Sequence, residues 1–308
     1  MMRSVDASKI NKSVKTNAVR FISESNNKYR SKLISTARGI KEDIKEKPIV
    51  LLSGPSGSGK TTTAYRLSDE LALMGIKSHI ISMDNYFIPN TKIDELNVPR
   101  DSSGNVDLES PYRIDICLFQ NHLHRLFEGE TVEIPIFDFV NQDYSGHVPV
   151  LRKENEVIII EGIHALNPEV TGNVSDIASC IYVSVRTRLK TSDGDLLHPS
   201  YVRLMRRLIR DSLFRGRSYD EIFAMFASVQ RGENLYIMPY KNRADYDIDT
   251  FIDYEASVYK GIIYEKLLNS EKNVHSDIKR AMIRYLAELL PVDASLVPPE
   301  SLIKEFIG

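Results

Sequence analysis

The sequence predicts an α/β protein in which helices flank a parallel sheet. Three observations support this fold class: a glycine-rich loop joins an apolar segment to a helical pattern, short segments rich in Ile and Val recur along the chain, and helical patterns separate them. Such apolar runs are typical of strands that helices cover on both faces. The candidate strands are 48–53, 78–83, 157–161, 180–185 and 247–252.

The composition is that of an ordinary globular chain. The 308 residues suffice for one large domain or two small ones, and the formal net charge of −2 gives no general attraction to nucleic acid or to an anionic membrane. Cys117 and Cys180 lack metal-ligand spacing, which predicts buried free thiols. With no apolar run long enough for a membrane span and no signal-peptide core, we expect a cytoplasmic protein that binds neither membrane nor nucleic acid.

The glycine-rich loop after the first strand matches a phosphate-binding loop. Glycines let backbone N–H groups point inward at close range, a lysine can contact the outer phosphates of a nucleotide, and a threonine hydroxyl can bind Mg²⁺. The alternative is a glycine-rich turn that matches by chance. The candidate nucleotide-binding residues are Gly54, Ser56, Gly57, Ser58, Gly59, Lys60, Thr61 and Thr62, followed by a predicted helix to Met74 with Gly75 as its stop.

The rest of the chain divides into parts around this loop. Residues 1–45 are polar with mixed charge, which predicts a solvated flank of surface helices or a partly ordered arm, with a nucleic-acid arm as the alternative. Residues 46–255 carry the strand and helix pattern. Inside them, residues 84–156 form an insertion, with a polar loop (90–107), a helix (about 112–128) and a candidate hairpin (131–150), that we expect to cover a second substrate. Residues 256–308 are expected to form a helical part packed on the same domain.

Two carboxylates follow predicted strands. Asp84 comes after the second strand, where it can accept the proton of an acceptor hydroxyl, although a helix cap or turn residue is the alternative. Glu161 ends the apolar run that starts at Val157, and it can orient Mg²⁺ directly or through water, in a position that usually holds Asp. His164 has no partner in the sequence pattern, so we expect a packed or capping role.

A basic helix at 201–211 precedes the segment Phe214-Arg-Gly-Arg217. Leu204, Leu208 and Ile209 predict an apolar face, with the arginines largely on the other face. Because arginine forks suit phosphate oxygens, the phosphate-binding loop favours a lid at 201–217 that neutralises charge during phosphoryl transfer. A solvated helix face or an RNA-binding patch is the alternative.

Taken in order, these motifs resemble those of the uridine kinase family, which is related to phosphoribulokinase and pantothenate kinase. The resemblance covers roughly residues 46–255 and rests on residues 54–62, 83–87, 106–107, 135–139, 160–163, 206–217 and 244–245. The C-terminal part, through residues 301–308, also resembles the kinase portion of longer bacterial uridine-kinase-like proteins. The resemblance implies a P-loop kinase fold with a substrate-covering insertion and an arginine-bearing lid, and it implies ATP and Mg²⁺ as cofactors.

The resemblance also implies a role for each matching residue. Asp84 would be the base for the acceptor hydroxyl, and Asp107 would hold ribose hydroxyls. The residues expected in catalysis are Asp84, Lys60, Arg210 and Arg215, those expected to bind the metal are Thr61 and Glu161, and Arg207 joins the nucleotide-binding set. The acceptor-binding set is Asp84, Tyr86, Asp107, Phe137, Gln142, Arg217 and Met225.

The chain departs from the family pattern where that pattern reads the nucleoside base. Gln142 stands at the position of a His, Phe137 replaces Tyr, and Met225 replaces Gln. Gln142 can still donate and accept hydrogen bonds, so uridine stays open. We expect phosphoryl transfer to the 5′-hydroxyl of uridine or cytidine first, and to another sugar-like or polyol acceptor second. A third alternative is a non-catalytic, nucleotide-dependent regulatory or RNA-binding protein, and the sequence allows a homo-oligomer.

Overall fold

The computed structural model describes residues 3–100, 104–270 and 276–308, and these form a five-stranded parallel sheet with helices on both faces. Residues 1–2, 101–103 and 271–275 lie outside the described ranges, and so do the matching parts of the predicted flank, of the loop 90–107 and of the predicted helical part 256–308. In chain order the elements are β1 (Ser4–Asp6), α1 (Ala7–Asp43), β2 (Ile49–Ser53), α2 (Lys60–Leu73), β3 (Ser78–Ser82), α3 (Ile116–Phe127), β4 (Val132–Asp138), β5 (Asp143–Val150), β6 (Val157–Glu161), α4 (Pro168–Thr171), β7 (Ala178–Ser184), β8 (Arg188–Lys190), β9 (Leu196–Leu197), α5 (Pro199–Phe214), α6 (Tyr219–Gly232), β10 (Tyr246–Asp249), α7 (Glu255–Asn269), α8 (Ser276–Glu288) and α9 (Lys304–Ile307).

The main sheet has the strand order β10-β7-β2-β6-β3, and every neighbouring pair is parallel. The predicted fold class is therefore confirmed. In the register of the sheet, Glu161 at the end of β6 pairs with Leu52 on one side and Ser82 on the other. The carboxyl ends of β2, β6 and β3 thus meet at one edge, where ligands bind in open α/β sheets.

Alternate residues of the central strand face two separate cores. Val50 and Leu52 pack into a cluster with α1, α2, α5 and α7, whereas Ile49 and Leu51 pack into a cluster with α3 and β4. Because successive side chains of a strand point to opposite faces, a strand with all five residues buried must be covered on both sides.

The N-terminal segment differs from the expected solvated flank. It forms the short strand β1 and the long helix α1, which is kinked at Asn17. Tyr29, Leu33 and Ile40 lie on one face of α1 and are buried in the core beside α2. Their spacings of four and seven residues match the helical period, but polar residues between them hide the pattern. The boundary between residues 45 and 46 stays a prediction.

The insertion contains the helix and hairpin expected from the sequence. α3 starts at Ile116, later than expected, because Pro111–Arg113 forms a separate 3-10 turn and Asp115 caps the helix by accepting the Leu118 N–H at 3.0 Å. β4 and β5 pair as an antiparallel hairpin with an irregular register between Ile136 and Phe137. This bulge bends the hairpin at the part of the insertion that lies beside Phe87.

The two cysteines differ in their exposure. Cys180 is a buried free thiol, as expected, but Cys117 is exposed, because the buried face of α3 carries Phe119, Leu123 and Leu126 instead. Over the described ranges, the helices include none with the length and hydrophobicity that crossing a membrane requires.

Helix α5 is far more buried than a basic helix suggests. Arg203, Arg206 and Arg207 all lie in the protein interior, together with the apolar residues of the helix. The Arg206 guanidinium donates to both carboxylate oxygens of Glu255, at 2.8 and 3.1 Å, and both side chains are fully buried. Burial alone would lower the pKa of Arg206, but the Glu255 carboxylate outweighs it and raises the pKa. The expectation that these arginines lie on a solvent or lid face is therefore wrong for Arg203, Arg206 and Arg207.

We predict that Glu255→Gln destabilises the fold by about 3–5 kcal/mol, because it leaves the Arg206 charge buried without its counter-charge. The free energy of unfolding, measured with urea, checks this. Glu24→Gln is the control, since it breaks an exposed ion pair with Arg20 and should change stability little. Equal stability loss in the two variants would contradict a dominant role for the buried pair.

Candidate active site

The phosphate-binding loop joins β2 directly to α2, as expected. Gly57 and Gly59 have φ of 75° and 86°, which residues with a Cβ rarely adopt. α2 begins at Lys60, two residues earlier than expected, and its first backbone bond is donated by Thr63 N–H to the Gly59 carbonyl at 2.9 Å. The N–H groups of Lys60, Thr61 and Thr62 are therefore left for other acceptors, and the helix dipole favours anions there.

Buried side chains hold the carbonyls of this loop from behind. Arg203 donates to the Ser56 carbonyl at 3.2 Å, and Arg206 donates to the Gly57 carbonyl at 3.1 Å. The Thr250 hydroxyl donates to the Ser58 carbonyl at 2.7 Å. These bonds fix three successive carbonyls of the loop on its inner side. The sequence pattern missed these supporting residues, because they come from distant parts of the chain.

A cavity of about 220 Å³ opens in front of the loop. It brings together most of the residues expected to serve the nucleotide and the metal: Ser56, Gly57, Gly59, Lys60, Thr61, Asp84, Glu161, Arg210 and Arg215. It also includes residues that the sequence reasoning did not select, namely Phe87, Leu108, Glu109, Gly162, Ile163 and Glu305. The cavity is therefore rich in charge of both signs.

Lys60 is the positive centre of a cluster with two carboxylates. Burial lowers the pKa of Lys60, while Glu161 and Asp84 oppose that change. Burial raises the pKa of Asp84 against the charges of Lys60 and Arg215, and burial raises the pKa of Glu161 to about 7. The charges of Lys60, Asp84 and Glu161 are thus buried in a low-dielectric environment, where each is stabilised by neighbouring charges of opposite sign. Such arrangements are common at functional sites.

The residues fit the two cofactors that the sequence implies. The Thr61 hydroxyl donates to Glu161 at 3.2 Å, so two hard oxygen donors of the kind that Mg²⁺ prefers lie together. A Cβ at Gly57 would lie 2.9 Å from the Arg203 carbonyl, so only glycine lets the loop lie this close to α5. With the N–H groups of the first turn of α2, which have no acceptor within the helix, the loop has the construction of a phosphate cradle.

The arginines expected at the phosphates separate into two groups. Arg210 and Arg215 line the cavity, whereas Arg207 and Arg217 do not. All four surround the buried Asp211, at distances of 2.8 Å for Arg210, 3.5 Å for Arg215, 3.8 Å for Arg207 and 3.9 Å for Arg217. Burial lowers the pKa of Arg207 to about 10. Asp211 is thus the common ion-pair partner of the four arginines, and two of them, Arg210 and Arg215, also line the cavity.

Tyr86 does not reach the cavity, contrary to the expected acceptor contact. Its ring is buried against Phe119, and its hydroxyl lies 3.1 Å from His122 Nδ1. The 3-10 turn at Met83–Tyr86 directs the ring toward α3. The next residue, Phe87, takes the place in the cavity wall.

Asp107 is also engaged with protein groups. Its carboxylate forms an ion pair with Arg231 at 2.8 Å, accepts the Glu109 N–H at 3.2 Å and accepts the Tyr236 hydroxyl at 3.4 Å. The side chain is buried and lines neither the cavity in front of the loop nor the neighbouring one. The structure therefore does not present Asp107 to a substrate hydroxyl in the way the resemblance implied.

Phe137 and Gln142 lie together in the hairpin, one layer behind the cavity wall. The Phe137 ring packs edge-on against Phe87, with centroids 5.7 Å apart. Gln142 has a φ of 53°, donates to the Phe139 carbonyl at 2.8 Å and accepts from Arg113 at 3.1 Å. Phe137 thus connects to the cavity wall through Phe87, while Gln142 makes one donor bond and one acceptor bond to protein groups.

Met225 lines a second cavity of about 530 Å³ beside α6. Leu108 and Glu109 belong to the walls of both cavities and therefore mark where the two adjoin. Burial raises the pKa of Glu109 to about 7, and no hydrogen bond to its carboxylate occurs within the described part of the chain. A buried carboxylate at this junction was not predicted, because nothing in the local sequence distinguishes Glu109 from a surface glutamate.

Comparison with known proteins agrees with this geometry. The model of the phosphoribulokinase/uridine kinase family matches residues 49–256. The chain belongs to this family. A uridine kinase of Geobacillus kaustophilus (strain HTA426) is 30% identical over 202 residues, which are 65% of this chain and 85% of that protein. A uridine kinase of Lactobacillus helveticus (strain DPC 4571) is 31% identical over 206 residues, with the same two shares of 65% and 85%.

Among solved structures, the D-glycerate 3-kinase from Cryptococcus neoformans var. grubii is 14% identical, with a TM-score of 0.45, over 73% of this chain and 89% of its own.

The family membership establishes the chain as a P-loop kinase, an enzyme that transfers a phosphoryl group to a hydroxyl of a small molecule. The resemblance inferred from the motifs is thus confirmed at the level of the family.

We predict that Gly57→Ala in this kinase weakens ATP binding by about tenfold or more, because a backbone strain of about 1–3 kcal/mol would fall on the loop. Isothermal titration calorimetry with ATP measures the effect. Gly75→Ala is the matched control: its φ of 81° imposes similar strain, but a Cβ there meets nothing within 4 Å. A comparable loss of affinity in the control would show that the close approach to Arg203 is unimportant.

Proposed function

We propose that this protein is an ATP- and Mg²⁺-dependent kinase with uridine or cytidine, at the 5′-hydroxyl, as the first candidate acceptor. One observation carries the proposal: Lys60, Thr61, Asp84 and Glu161 surround a single cavity at the carboxyl ends of neighbouring parallel strands. A phosphate-binding lysine, a pair of oxygen donors for a metal ion and a separate carboxylate are the parts that phosphoryl transfer needs.

Asp84 is the proposed general base. It follows β3, whereas the phosphate-binding loop follows β2, so β6 and Glu161 lie between them. This arrangement leaves Glu161 and Thr61 to hold Mg²⁺, which on binding would neutralise charge on the phosphates of ATP. Because burial raises the pKa of Asp84, its carboxylate is a better proton acceptor near neutral pH than an exposed aspartate.

Arg210 and Arg215 are the proposed partners of charge that develops on the transferred group. Both line the cavity, and Asp211 holds them from behind. Burial and the like charge of Arg210 lower the pKa of Arg215, and Asp211 opposes that change only in part. A phosphate anion in front of the two arginines would complete that balance.

The acceptor is the open part of the proposal. The relatives are uridine kinases by name, which favours a pyrimidine nucleoside. Gln142 and Asp107, however, are bonded to other protein groups instead of facing a substrate. Their engagement favours a smaller sugar-like or polyol acceptor as the second candidate. Glu109 then becomes the proposed hydroxyl-binding carboxylate, because its carboxylate accepts no hydrogen bond from the described residues and it adjoins both cavities.

We predict that Asp84→Asn keeps ATP affinity but lowers the turnover number by about 10²-fold or more, the usual scale for loss of a general base. ATP binding and steady-state phosphorylation of an accepted substrate measure the two effects separately. Asp69→Asn, an exposed aspartate on α2, is the control and should leave both unchanged. A variant at Asp84 that loses ATP affinity but keeps its maximal rate would place Asp84 on the nucleotide side.

A screen of uridine, cytidine, 2′-deoxyuridine and small polyols for ADP release tests the acceptor. We expect weak discrimination between uracil and cytosine, since apolar contacts discriminate by only about 1–3 kcal/mol. We expect a need for neighbouring hydroxyls, and we expect Glu109→Gln to raise the KM for the acceptor while the KM for ATP stays unchanged. Use of 2′-deoxyuridine as readily as uridine would contradict the hydroxyl requirement, and use of polyols alone would select the second candidate.

A further inference from the structure

The end of the chain packs directly on the phosphate-binding loop. Leu302, Ile303 and Phe306 are fully buried, and the Arg206 guanidinium lies over the Phe306 ring at 5.0 Å. A Cβ added at Gly59 would lie 3.0 Å from the Leu302 side chain, so the two segments are in close contact. This part of the chain lies beyond residue 256, where the family match ends.

From this anchored segment, Glu305 reaches into the cavity in front of the loop. One of its carboxylate oxygens accepts the Thr62 N–H at 3.2 Å and the Thr62 hydroxyl at 2.6 Å. Thr62 lies in the first turn of α2, where an N–H has no partner within the helix. Glu305 therefore occupies a donor pair that the loop would otherwise offer to a phosphate.

A carboxylate and a phosphate bind the N-terminus of a helix through the same kinds of interaction. Both are anions with oxygen acceptors, and both are stabilised at a helix N-terminus by the free N–H groups and the dipole. The single Thr62 N–H cannot serve both at full strength. A negative charge on Glu305 in the cavity also opposes the entry of a triphosphate.

We propose that Glu305 is an internal competitor of the nucleotide, and that its carboxylate must leave Thr62 before a phosphate can bind there. Leu302 and Phe306 hold the backbone on each side, so the exchange needs a rotation of the Glu305 side chain and no unfolding of the segment. Glu305 thereby sets how tightly the loop binds nucleotide, and it covers the donors of Thr62 when no nucleotide is present. This inference rests on the proposed function only in that the competing ligand is ATP.

Calorimetric titration of the full chain with ATP, tripolyphosphate and adenosine tests the proposal. We expect Glu305→Gln and Glu305→Ala to bind ATP and tripolyphosphate about tenfold more tightly than the natural chain, the scale of one hydrogen bond to a charged group. Adenosine, which has no phosphate, should bind the variants and the natural chain equally. Glu300→Gln is the matched control, because it removes the same charge from an exposed position in the same segment, and it should change nothing.

The outcomes separate the possibilities. Weaker or unchanged binding of ATP in properly folded Glu305 variants, with folding checked by thermal unfolding, would overturn the proposal. An equal gain for adenosine would overturn it as well, because the effect would not concern phosphate, and so would an absence of binding in every variant. Tighter ATP binding without phosphorylation of any acceptor would support the role of Glu305 while the proposed acceptors fail.

Discussion

The shape of the phosphate-binding loop depends on one buried cation, the guanidinium of Arg206. It contacts the loop at the Gly57 carbonyl, the end of β10 at Thr250, the start of α7 at Glu255 and the C-terminal segment at Phe306. A buried guanidinium is costly unless its donors are satisfied and its charge is balanced. Because Glu255 balances the charge, the other donors can fix backbone groups, and the position of the loop follows from the requirement that every one of them is used.

Helix α5 therefore performs two tasks along its length. Its inner arginines, Arg203 and Arg206, hold loop carbonyls from behind, while Arg210 near its end and Arg215 just after it line the cavity. Asp211 lies where the second group begins and is surrounded by its arginines. Movement of this second group would change the charge of the cavity without disturbing the loop, since the loop is held by the first group. An arginine-bearing region that holds the loop at one end and lines the cavity at the other is consistent with phosphoryl transfer.

The features that were predictable from sequence are those encoded by neighbouring residues. Local hydrophobic patterns and spacing predict the five strands of the main sheet, the phosphate-binding loop and the positions of Asp84 and Glu161 along the chain. The burial of Arg206 could not be predicted in this way, because its counter-charge is Glu255, 49 positions away. Tyr86 turns away from the cavity, and Phe87 lines it instead, because residues 83–86 form a 3-10 turn that the sequence pattern did not predict. Asp107 matches the motif in sequence, but its carboxylate is bound by Arg231 on α6 and by Tyr236 in the helical turn after it. Only the tertiary structure reveals these two contacts.

The segments outside the family match complete the nucleotide site. The first turn of α2 is held from one side by α1, where the Tyr29 hydroxyl lies 2.8 Å from the Thr63 hydroxyl, and from the other by Glu305 on Thr62. Neither partner belongs to the matched residues 49–256, yet each acts on one of two successive threonines at the point where a helix receives phosphate. The free energy of nucleotide binding must therefore include contacts made from outside the matched range. Similarity over residues 49–256 establishes the kinase family, and under the proposed role of Glu305 the contacts from outside that range set how readily the loop receives phosphate.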